Sequence, residues 1–125
     1  MEEFQKKGME EKGVAHVFAA FRYSLAGAGV LFREEAARLE VIFLVVSAIL
    51  FLIVGAAFYQ YAILLGLFCA LLCVEALNTA LELIVDKTSP EISDYGKQTK
   101  DLGSFAVMCA LFGFGGYALW VILPF

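Results

Sequence analysis

Three stretches of this chain are almost free of charge, and each is long enough to cross a lipid bilayer. Val41 to Phe58 has no charged residue, Tyr61 to Val85 has only Glu75 and Glu82, and Leu102 to Phe125 has none. A hydrocarbon core about 30 Å thick needs about 20 helical residues. Of the 125 residues, 62% are hydrophobic and 18% charged, whereas a soluble domain is expected to be about 45–50% apolar. The expectation is an all-α membrane protein in one domain, with transmembrane helices over 39–58, 61–85 and 102–124. A tight turn is expected at Tyr59-Gln60-Tyr61, and Lys100-Asp101 should open the third span.

Residues 1–13 are expected to be a polar tail. Met1 to Gly13 is mostly charged, unlike the apolar core of a cleavable signal. From Val14 the pattern changes. Val14, Phe18, Phe21, Leu25, Ala28 and Phe32 recur at spacings of four and three, which makes one helix face apolar. Arg22 and Arg33 lie off that stripe. This describes an amphipathic helix over 14–38 lying in the membrane interface, and extending its stripe by three residues reaches Glu35.

The cations set the orientation. Lys6, Lys7, Lys12, Arg22, Arg33 and Arg38 precede the first span, and Lys87, Lys97 and Lys100 lie between the second and third. The positive-inside rule puts the N-terminus and the 86–101 loop in the cytoplasm and the C-terminus outside. The net charge of −4 argues against nucleic acid as a partner. Cys69, Cys73 and Cys109 lie within the spans without metal-type spacing and read as small packing residues. Gly113, Gly115 and Gly116 would permit close helix contact.

The second span carries the chemistry. A carboxylate near the bilayer centre costs roughly 2.5–3.5 kcal/mol. Glu75, Asn78, Glu82 and Asp86 step by three, four and four, so they share one helix face. Asp86 falls at the cytoplasmic surface, Glu82 just below it, and Glu75 ~10 Å deeper than Glu82 along the axis. This grading suits phosphoryl transfer at the interface, which needs carboxylates for a divalent cation, a cation facing the phosphates and a base at the accepting hydroxyl. Glu35 and Glu82 are candidate metal ligands and Lys100 a candidate phosphate partner. Glu75, deeper and drier, is the candidate general base. A polar clamp joining helices is the structural alternative for Glu75, Asn78 and Glu82. The chain has no P-loop and no H-R-D or D-F-G signature. A carboxylate-lined proton or ion pathway is the alternative of another class, although transporters favour repeats and midplane sites.

These residues resemble the small prokaryotic diacylglycerol kinases, a family that includes undecaprenol kinases. The likeness covers about residues 14 to 120. It is carried by Tyr23-Ser24 with Gly27, Glu35-Ala36-Ala37, the Glu75-x-x-Asn78-x-x-x-Glu82-x-x-x-Asp86 face, and Lys100-Asp101-x-Gly103-Ser104. The resemblance implies transfer of the ATP γ-phosphate to a membrane lipid alcohol with Mg2+. It also implies a homotrimer of three-span subunits, with sites between subunits. Carried over, Glu75 is the base, with Asn78 supporting it, and Glu35 and Glu82 bind the metal. Asp86, Glu91, Lys100 and Asp101 face the nucleotide, with Tyr23, Ser24 and His16 contributing from the surface helix. The family segment E-A-A-F-R-x-E is one residue short here, leaving Glu34 as the alternative to Glu35. His16 stands where relatives commonly have arginine, and Glu40 matches a further family acid. Gly103-Ser104 points to diacylglycerol, with undecaprenol the alternative substrate.

Overall fold

A computed structural model describes residues 2–124, with side chains for residues 2–3 and 13–124, and all of it is helix and short turn. The four helices are α1 (Glu2–Leu31), α2 (Glu35–Val54), α3 (Phe58–Thr88) and α4 (Asp94–Ile122). In lipid a backbone has no water to bond to, so an apolar run of this length is driven to satisfy its N–H and C=O groups within a helix.

The helix boundaries differ from those expected, each for a local reason. Residues 2–13, expected as a tail, continue into α1. The first helix stops at Leu31 rather than at 38. Glu34 has an extended backbone (φ −78°, ψ 137°) as the N-cap of α2, and Glu35 occupies the first turn of that helix, where a carboxylate complements the helix dipole. Only residues 32–34 separate the helices, so the apolar periodicity runs across the break and hides it. The second turn lies at Gly55 to Ala57 rather than at 59–61. Gly55 takes the left-handed conformation (φ 72°) that ends α2. Gln60 lies inside α3, and its side chain accepts the Ala57 N–H at 2.8 Å. The fourth helix starts at Asp94, eight residues before Leu102. Ser93 is its cap, accepting the Gly96 N–H at 3.0 Å. Lys97, Lys100 and Asp101 are therefore helical.

The core is a stripe on each of three helices. Ala37, Glu40, Ser47 and Phe51 are the buried residues of α2; Leu64, Phe68, Leu71, Glu75, Thr79 and Val85 those of α3; Gly96, Gly103, Phe114 and Ala118 those of α4. Phe51, Leu64, Phe68, Leu71, Phe114 and Ala118 pack as one apolar cluster. Within it Phe51 meets Tyr61 edge to face at 5.5 Å and Phe68 meets Phe114 at 5.7 Å.

Among the described residues, four segments are long and apolar enough to cross a membrane, including Gly13–Leu31, where the amphipathic surface helix was expected. Its mean hydropathy is 1.3, against 2.0 to 2.5 for the other three. Among the described residues, Gly113, Gly115 and Gly116 make no close helix contact: a Cβ at any of them meets nothing within 4 Å. The three cysteines are free thiols, exposed in the chain as described.

Candidate functional site

The polar face of α3 continues its core stripe toward the C-terminal end of the helix. Along it, burial falls step by step. Glu75 is 5% exposed and Thr79 9%, Asn78 and Glu82 are half-buried, and Asp86 is exposed. Solvent exposure within the chain therefore increases along the face from Glu75 to Asp86.

Each member of the face meets a neighbour. Glu75 faces Glu40 of α2, also 5% exposed, with the two carboxyl groups within hydrogen-bonding reach. Asn78 Nδ2 donates to Glu82 Oε1 at 3.3 Å, one turn along the same helix. The other amide atom, Asn78 Oδ1, is buried without a hydrogen-bond donor among the described residues and is turned toward Gly103 of α4, where an added Cβ would collide with it. Thr79 Oγ1 donates to Glu34 Oε1 at 3.0 Å. The acid that the helix junction brings to α3 is thus Glu34, while Glu35 is exposed.

Two ion pairs cover the surface end. Lys100 Nζ lies 2.6 Å from Asp86 Oδ1, joining α4 to α3, and Lys97 Nζ lies 2.7 Å from Asp101 Oδ2 within α4. Both lysines sit in the polar start of α4, ahead of its apolar run. The hydrogen bond to Asp86 holds the Lys100 ammonium above its usual range, and Asp101 does the same for Lys97. These groups open on a cavity of about 300 Å³ lined by Asp86, Ser89, Glu91, Lys97, Lys100 and Asp101. Glu91 accepts a hydrogen bond from Ser89 Oγ at 3.1 Å.

A second, mostly apolar groove of about 570 Å³ runs between α1 and α3, with Ser24, Gly27, Cys69, Cys73 and Thr79 in its walls. Ser24 Oγ itself donates to the Ala20 carbonyl at 2.9 Å. Tyr23 and His16 lie exposed on α1. The structure therefore gathers Asp86, Glu91, Lys100 and Asp101 in one place and Asn78 with Glu82 in another, and leaves Tyr23, His16 and Glu35 on the surface.

Thr79 and the close approach of Gly103 to Asn78 escaped the sequence reading. Thr79 is next to Asn78, but a threonine in a span is common. Gly103 lay inside a recognised motif, where only the helix pairing reveals its purpose. Among the described residues, no three His, Cys, Asp or Glu side chains stand close enough to hold a metal ion. Mg2+ needs only one or two carboxylates, with water and phosphate oxygens as its other ligands. Glu82 and Glu34, hard oxygen donors beside the same stripe, suit that demand.

Fold and site define a class: an all-helical membrane protein whose buried acidic stripe ends at an ion-paired surface cavity. The chain matches the model for "Prokaryotic diacylglycerol kinase" over residues 22–122. It is 48% identical to a diacylglycerol kinase of Sinorhizobium sp. over 114 residues, covering 91% of this chain and 83% of that one. It is 35% identical to a diacylglycerol kinase of Pseudomonas aeruginosa over 103 residues, covering 81% and 83%. A Haemophilus influenzae diacylglycerol kinase is 29% identical over 100 residues, covering 79% and 85%. The chain belongs to the prokaryotic diacylglycerol kinase family, and is an enzyme of the lipid kinase kind.

Proposed function

We propose that this enzyme transfers the γ-phosphate of ATP to the hydroxyl of diacylglycerol, giving phosphatidic acid at the cytoplasmic face of the prokaryotic inner membrane. The single observation that carries this reading is the stripe from buried Glu75 to the exposed Asp86–Lys100 pair, which joins a buried carboxylate to a charged surface cavity. The names of the three relatives support diacylglycerol as the acceptor.

The roles follow from depth and charge. Glu75 takes the proton of the lipid hydroxyl as that oxygen attacks the γ-phosphorus. Asn78 holds the Glu82 side chain. Lys100 faces the phosphates, with Asp86 orienting its ammonium, and Asp101 and Glu91 shape the cavity around the nucleotide. Tyr23, Ser24 and His16 close the site from α1. Mg2+, held by Glu82 and by Glu34 or Glu35 of the junction, would neutralise phosphate charge when bound. We favour Glu34 because it is the junction acid bonded to α3.

In the membrane, α2, α3 and α4 span, with basic residues inward, and α1 lies at the interface. The low hydropathy of Gly13–Leu31 and the exposure of His16, Arg22 and Tyr23 on it support that placement. A homotrimer with sites between subunits is supported by the open glycine face of α4, which borders an apolar cavity of about 640 Å³ between α2 and α4. The test is phosphate incorporation from labelled Mg-ATP in mixed micelles, with diacylglycerol and undecaprenol offered separately. Preferential labelling of diacylglycerol is expected; labelling of undecaprenol alone would reassign the substrate.

A further inference from the structure

Glu40 is the buried acid that the reaction described above does not use. It occupies the inward stripe of α2 with Ala37, Ser47 and Phe51, where a leucine would fill the space without a polar cost. It is 5% exposed, and its Oε2 is buried with no hydrogen-bond donor turned toward it among the described residues. Its neighbour is Glu75: the two carboxyl groups lie within hydrogen-bonding reach, and Glu75 is the titratable group that acts on Glu40 among the described residues.

Two ionised carboxylates held together out of water repel strongly. A hydrogen bond between two carboxyl groups needs one proton between them, since an ionised carboxylate is an acceptor only.

We propose that Glu40 is a positioning residue for phosphoryl transfer: as a carboxylic acid it donates the shared proton to Glu75, fixing the Glu75 carboxylate in one rotamer and leaving its second oxygen for the substrate hydroxyl. The inference rests on the kinase reading. In the step itself, the hydroxyl proton passes to that free Glu75 oxygen and the hydroxyl oxygen's electron pair forms the new O–P bond. The bond between the γ-phosphorus and the β–γ bridging oxygen breaks, and its pair leaves on ADP. The Glu40 proton stays where it was, so Glu40 acts through Glu75 and does not touch the lipid.

The experiment uses the full chain in mixed micelles with diacylglycerol and Mg-ATP, and compares Glu40→Gln, Glu40→Asp and Glu40→Leu. Glutamine keeps a donor at the same reach, so kcat should stay within about fivefold of the parent. Aspartate is an acid one methylene short and leucine has no donor. In both, kcat should fall by roughly 10- to 100-fold, the scale of a misplaced catalytic group, with KM for ATP unchanged. A helix clamp with no role in turnover would not produce that split. An infrared carboxylic-acid C=O band at pH 7, lost in Glu40→Gln, is the second readout. If Glu40→Leu does not assemble, the glutamine and aspartate variants decide. Parent-like kcat in Glu40→Asp, a collapse of kcat in a well-assembled Glu40→Gln, or no such band in the parent protein would each overturn the proposal while leaving the kinase reading intact. A parent protein that labels no lipid alcohol would overturn both.

Discussion

Gly103 of α4 lies against the Asn78 amide of α3, so close that a Cβ at Gly103 would strike Asn78 Oδ1. This contact sets the spacing of the two helices at the level of the acidic stripe, one turn from Glu82. Oδ1 has no hydrogen-bond donor among the described residues, so the backbone of α4 takes the place that a polar partner would fill. Gly103→Ala should therefore force α4 outward or rotate the amide away from Glu82. An overpacked contact of this kind costs about 1–3 kcal/mol. Thermal unfolding in detergent should show a lower midpoint, and phosphorylation of lipid should drop more than tenfold. A variant with parent-like stability and turnover would remove Asn78–Gly103 from the site.

The Glu34–Thr79 bond makes a separate prediction about the junction acids. Thr79→Val removes a hydroxyl donor to Glu34 at 3.0 Å and should cost on the order of 1 kcal/mol. Glu34→Gln should raise the Mg2+ concentration needed for half-maximal turnover, and Glu35→Gln should leave it near the parent value. Titration of activity with Mg2+ checks both. The reverse order would return the metal-ligand role to Glu35.

Lys100 and Asp86 are both exposed in the chain as described, with Nζ and Oδ1 2.6 Å apart, and an exposed pair stabilises a fold little. Lys100→Met should leave the unfolding midpoint almost unchanged while raising KM for ATP about tenfold or more. Because Asp86 holds the Lys100 ammonium above its usual range, the charge survives mild alkali. Any stability from the pair is fully present below the ordinary lysine range and lost only as pH rises through the raised value. ATP affinity should therefore not weaken between pH 7 and 9 through loss of this charge. A fall over that window that disappears in Lys100→Met would contradict the assignment.

Much of the architecture was legible because lipid leaves few choices. The apolar runs beginning at Val41, Tyr61 and Leu102 each start inside a helix, α2, α3 and α4, and the spacing of Glu75, Asn78, Glu82 and Asp86 placed them on one face. The boundaries were less legible. The break at residues 32–34 leaves the apolar period uninterrupted, and the Gly55 turn sits among residues as apolar as the helix it ends. Glu40 lay just inside the first expected span and matched a family acid, but the sequence pattern did not show which face it takes. It is buried because α2 begins at Glu35, which carries Glu40 inward beside Ala37. Contacts between helices, such as Asn78 with Gly103, depend on the rotation of α4, and a uniformly apolar helix does not encode that rotation in its pattern.

Glu75 is proposed as the base for transfer of phosphate to a lipid hydroxyl. The most direct measurement is labelled phosphate incorporation into diacylglycerol by the purified protein and by Glu75→Gln, at equal assembled concentration with saturating Mg-ATP. Robust labelling by the parent protein is expected, with a loss of at least 10²-fold in the variant, the usual scale for removing a general base, and an oligomer unchanged by size. Equal labelling by both proteins, or none by the parent protein with any lipid alcohol, would contradict it.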